Sequence, residues 1–69
     1  MTNTAMLEKI ISESGYKKNY IAKVLGMTPY SLSRKINNVS EFSSSEIKGL
    51  CELLSIQELD EKEAIFFAG

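Results

Sequence analysis

Five consecutive residues, Leu25-Gly26-Met27-Thr28-Pro29, constrain this chain more than any others. Glycine is the residue that leaves a helix through a left-handed conformation. Threonine is a helix N-cap, and proline at the first helical position gives up an N–H that would have no partner anyway. A stop and a start signal therefore stand back to back, and two helices must be joined by almost nothing. A turn this tight sends the second helix off at a steep angle to the first. Ala22 supplies a small side chain four residues before Gly26, where crossing helices approach. Leu32, six residues after it, reaches back into the junction, and Met27 between glycine and cap is a core plug. Ala22-x3-Gly26-x5-Leu32 is the steric skeleton of a helix-turn-helix spanning about residues 18–36.

The rest of the chain reads as helices too, four or five in all, and no stretch alternates with period two. Leu7, Ile10 and Ile11 make one apolar stripe on a helix over 4–14, closed by Gly15 in a left-handed conformation. Ile21, Val24 and Leu25 repeat that spacing over 18–25. Leu32 and Ile36 form the inward face of the third helix, and Asn37-Asn38 stops it. After a loop to Phe42, which tucks under the core, Ser43-x-x-Glu46 is a capping box for a helix over 44–54. Ile47, Leu50, Cys51 and Leu54 are its buried stripe. Asp60-x-x-Glu63 caps a short fifth helix from about Glu61.

At 69 residues with 43% hydrophobic residues the chain supports one core and one domain, residues 1–69, with roughly 60% of its surface buried on folding. No apolar run approaches the ~20 residues of a membrane span, and Met1-Thr2-Asn3-Thr4 does not open a secretory leader, so the expected location is cytoplasmic. The length leaves no room for a separate effector domain. Cys51 stands alone and there is no histidine. A disulfide framework, a Cys/His metal site and a histidine-based catalytic group are excluded. No phosphate loop or activated nucleophile is present either, so an enzyme lacks its parts and no cofactor is expected.

The net charge is −1, but its distribution is polar. Between Gly15 and Ser40 lie Lys17, Lys18, Lys23, Arg34 and Lys35 and no carboxylate. The remainder sets Lys9, Lys48 and Lys62 against nine acidic residues. A basic centre and an acidic remainder form a directional field that seats one face on a polyanion.

The stretch from Asn19 to Asn38, with Ser31-Leu-Ser-Arg-Lys-Ile-Asn37 and then Phe42-Ser43-x-x-Glu46-Ile47, resembles the lambda-repressor-like, Cro/XRE-type helix-turn-helix family, small phage Cro-like proteins in particular. The likeness covers about residues 7–59. It implies a compact lambda-repressor-like domain of four to five helices that binds double-stranded operator DNA, commonly as a homodimer, and regulates transcription, as a repressor in a Cro-like protein. On the third helix Tyr30 and Arg34 project opposite Leu32 and Ile36, flanked by Ser31 and Ser33. With Thr28 these are the expected base-contacting residues, Arg34 suiting bidentate contact with guanine. Pro29 stands where the family often has a polar base reader. Lys17, Lys18, Asn19, Lys35, Asn37 and Asn38, at helix ends, are the expected phosphate contacts. Four to six neutralised phosphates give a slope of log affinity on log salt of about −4 to −5.

The tail, residues 60–69, carries Ile65-Phe66-Phe67. Three large apolar residues in a row cannot all face inward on a helix, so one remains outside, and an exposed Phe there makes Ile65, Phe66 and Phe67 the expected oligomer or partner contact. An alternative function uses the same fold without DNA: an anti-repressor that docks on a phage repressor, its cations pairing with the partner's carboxylates.

Overall fold

The computed structural model describes residues 1–68; the final residue of the predicted tail, Gly69, lies outside them. The described chain is all-helical: α1 (Thr4–Ser14), α2 (Lys18–Val24), α3 (Pro29–Ile36), α4 (Ser44–Leu54) and α5 (Leu59–Phe66), with no strand. α2 packs chiefly on α3, while α1 crosses behind and touches α3, α4 and α5. Leu7, Ile21, Leu32, Ile36, Leu50 and Ile65 are fully buried at the centre, one from each helix and two from α3. No described helix is long and apolar enough to cross a membrane.

Local chemistry sets each boundary. The Asn3 side chain accepts a bond from Met6 N, and Gly15 ends α1 at φ 79°. Thr28 caps α3 through Ser31 N, with Pro29 at its first position. Both bonds of the predicted capping box form: Glu46 N donates to Ser43 Oγ, and Ser43 N to Glu46 Oε1 at 2.8 Å. Phe42 is half-buried and meets Phe66 edge to face, ring centres 5.8 Å apart.

Three expectations are corrected. α2 ends at Val24, and Leu25 is its cap. The inward face runs through Ile21, Ala22 and Leu25, so Val24 sits on the flank, 48% exposed. α5 begins at Leu59, two residues earlier than expected, after an extended Glu58 that gives no side-chain cap. Asp60 and Glu61 thus lie within the first turn, where their charge favours the helix dipole without a capping bond. Ile65 and Phe66 are both buried; only Phe67 of that trio stands out, 64% exposed.

Two long-range arrangements hold the assembly. Gly49 lies where α4 meets the end of α2: a Cβ there would come within 2.8 Å of Leu25 Cδ2. The other is a strap at the N-terminus. Thr2 N donates to Asn38 Oδ1 and Asn38 Nδ2 donates to Thr2 O, both at 2.8 Å. Asn3 N donates to Ile65 O at 2.6 Å, Ala68 N to Met1 O at 2.9 Å, and Thr4 Oγ1 to Ile36 O at 2.6 Å. The strap ties the end of α3 to both ends of the chain.

Candidate nucleic-acid interface

The geometry of α3 begins at the turn before it. Gly26 takes φ 73°, a conformation that costs a residue with a Cβ roughly 1–2 kcal/mol. Met27 N then donates back to Ala22 O at 2.9 Å and Gly26 N to Lys23 O at 3.1 Å. The turn is therefore closed by α2's own last carbonyls, and only Leu25 to Thr28 separate the two helices. Ala22 is buried and Met27 half-buried, as a junction of this kind requires.

With Leu32 and Ile36 buried beneath it, α3 turns its opposite side outward. Tyr30 is 70% exposed. Arg34, one turn on, reaches back to it: Nη1 donates to Tyr30 Oη at 3.2 Å and the guanidinium carbon lies 5.6 Å from the ring centre. The pair presents a flat cation held by a flat ring, with guanidinium N–H groups left to donate outward. Ser33 is exposed beside it, and Asn37 is exposed with its Nδ2 donating to Ser33 O at 2.9 Å. Thr28 and Ser31 face each other at the helix start. Ser31 N donates to Thr28 Oγ1, which in turn donates to Ser31 Oγ, both at 3.1 Å. The Thr28 hydroxyl is thereby engaged locally as a cap.

The cations divide into two groups. Lys17, Lys23 and Arg34 have no ion-pair partner among the described residues. Lys18 pairs with Glu8 at 2.8 Å in the open, an arrangement worth little and readily exchanged for a phosphate. Lys35 is different: it is held inside the fold by Glu46. Its Nζ lies 2.8 and 2.7 Å from the two Glu46 carboxylate oxygens, with both side chains about four-fifths buried. The bond from Lys35, then that from Ser43 N, hold the Glu46 carboxyl below its ordinary value against the opposing effect of burial. Asn38 is exposed at φ 66°, and its amide is bonded internally, to the backbone N and O of Thr2. Asn19 is exposed at the start of α2, next to Lys17 and Lys18.

Two exposed features of the α2 region were not singled out from the sequence. Tyr16 and Tyr20 stack with ring centres 5.4 Å apart, and both are over 40% exposed. Tyr16 precedes the cap of α2, so helical spacing gave no signal for this stack. Lys23 was counted in the basic run but given no role; it is exposed at the end of α2, in the last turn before Gly26.

Elsewhere, Cys51 is buried among apolar neighbours; burial pushes its thiol up, opposed by the nearby Lys62. Among the described residues no group of three or more His, Cys, Asp or Glu is placed to hold a metal ion. Comparison with models of known protein families, with curated proteins and with solved structures finds no match.

Proposed function

We propose that this chain is a sequence-specific DNA-binding regulator of the lambda-repressor-like, Cro/XRE type, which lays α3 in the major groove of an operator. The observation that carries this reading is the Tyr30–Arg34 pair on the side of α3 opposite its buried Leu32 and Ile36, Tyr30 70% exposed and Arg34 half-buried. A major-groove reader needs donors on an outward face near the start of its helix. Stacking on Tyr30 holds the Arg34 plane ready, so less rotamer freedom is lost when it meets guanine O6 and N7. Ser31, Ser33 and Asn37 flank it as further polar partners. Lys17 and Lys23, with Lys18 released from Glu8, supply phosphate contacts from α2. A Cro-like homodimer on a palindromic operator sets its two α3 helices about 34 Å apart, one turn of the duplex.

Internal use of Lys35 revises the salt dependence. With Lys17, Lys18, Lys23 and Arg34 as the cations that meet DNA, three or four phosphates are neutralised per protomer. The slope of log affinity on log salt is then about −3 to −4. Fluorescence anisotropy with a labelled duplex between about 50 and 200 mM salt measures it. Lys17→Ala and Lys23→Ala each flatten the slope by about 1 and weaken all sequences alike. Lys35→Ala leaves the slope unchanged. No binding at the lowest salt, together with a stable complex with a phage repressor, would favour the anti-repressor reading.

A further inference from the structure

The first turn of α3 pairs its polar groups with one another and leaves apolar surface outside. Thr28 Oγ1 accepts from Ser31 N and donates to Ser31 Oγ, both at 3.1 Å. Between them stand Pro29, which has no polar side-chain atom, and Tyr30, both exposed. The Tyr30 hydroxyl accepts from Arg34 Nη1 at 3.2 Å, while the guanidinium carbon lies 5.6 Å from the ring centre. The guanidinium is thus tied at the hydroxyl end of the ring, and the ring itself stays open, with Tyr30 70% exposed. A fork of donors and a bare ring sit side by side.

Few features of a major groove match such a pair. The fork suits guanine N7 and O6. The apolar group that bases project into the groove is the C5-methyl of thymine, and cytosine carries the same group once it is methylated at C5. A ring laid on a bare polar base edge would strip water from donors and acceptors without replacing their bonds. Packed on a methyl, the same ring buries apolar surface at no such cost. The spacing fits as well. Base pairs rise by about 3.4 Å, so with the guanidinium on one pair a ring centre 5.6 Å away falls on the next.

We propose that Tyr30 is a methyl reader: with Arg34 on a guanine, its ring packs on the C5-methyl of a pyrimidine in the adjacent base pair. This role rests on α3 lying in the major groove and adds the chemistry of what the site takes, a 5-methylpyrimidine beside a guanine. Thymine supplies the methyl in unmodified DNA and 5-methylcytosine in methylated DNA. At that position the Tyr30 contact treats a T·A pair and a methylated C·G pair alike, and an unmethylated C·G pair loses it.

The test takes the duplex that the wild type enriches from a random pool at about 50 mM salt and replaces each thymine in turn by deoxyuridine, which removes only the methyl. Fluorescence anisotropy then compares affinities. The motif is expected to place a thymine beside its guanine, and deoxyuridine there weakens binding about fourfold, the worth of one buried methyl group. A C·G pair at that position also weakens binding, and 5-methylcytosine recovers about fourfold of the loss. Tyr30→Phe keeps the ring and the preference for thymine over deoxyuridine. Tyr30→Ala binds the two duplexes equally. Each comparison sets two duplexes against one protein, so a change in the folded fraction cancels. A wild type whose guanine motif has no adjacent thymine, or tolerates deoxyuridine there unchanged, overturns the methyl-reading role alone. So does a Tyr30→Ala variant that keeps the fourfold preference. A wild type that retains no duplex overturns the DNA-binding reading itself, and this role with it.

Discussion

Glu46 does three things at once. It closes the capping box on Ser43 N, it holds both its oxygens against Lys35 Nζ, and it thereby fixes the last turn of α3 to the first turn of α4. Its carboxyl titrates below the ordinary value of 4.5 as a result. The folded state therefore holds the proton less tightly than the unfolded chain does. The contribution is complete above about pH 4.5 and is lost as pH falls through the lower folded value. Glu46→Gln removes that part of the acid-dependence. Urea denaturation from pH 7 to pH 3 is expected to show the variant less stable than wild type at pH 7, with the gap closing in acid. A gap that stays constant across that range would show that the Glu46 charge contributes nothing. Lys35 illustrates what sequence could not show: a lysine at the end of a basic helix reads as a phosphate contact until its partner eleven residues away is in place. The capping box was legible because both its members lie within one turn, whereas the Lys35–Glu46 pair depends on how two helices are set.

Among the elements, the start of α3 was fully legible, because Thr28 and Pro29 act on their own backbone. Its end was legible only as a stop. Asn38 does stop the helix, at φ 66°, but its main work is the pair of bonds to Thr2, thirty-six residues away. Asn38→Gly separates the two roles, since glycine keeps the left-handed conformation and loses the amide. The variant is expected to be about 1–3 kcal/mol less stable by chemical denaturation, with its DNA affinity unchanged where it is still folded. A uniform loss of affinity for all duplexes in the folded variant would assign Asn38 to the phosphate contacts. α5 was the least legible helix. Its true start at Leu59 has no side-chain cap, and Asp60-x-x-Glu63 imitates a start that tertiary packing overrides. Ile56 escaped notice for a related reason. It is buried because Ser55 turns left-handed at φ 58° and swings the chain back, a conformation that serine rarely announces.

Over the whole molecule, about 27 × 24 × 21 Å, the division of labour follows burial. The core takes one stripe from each helix, foreseen from helical spacing in α1, α3 and α4, while Ile56 and the α5 residues depended on how the chain turns back. The surface then carries what is left, among it the exposed Tyr30, Lys17, Lys23 and Phe67. The tail's apolar run was legible as too much for a core of this size; which of its three residues stayed outside was not. Selection from a pool of random duplexes at about 50 mM salt shows whether α3 reads sequence as proposed. The wild type is expected to enrich one short motif containing a guanine, and Arg34→Ala, still folded, to retain DNA weakly without enriching it. A wild type that retains no duplex, or an Arg34→Ala variant that enriches the same motif, would contradict that reading.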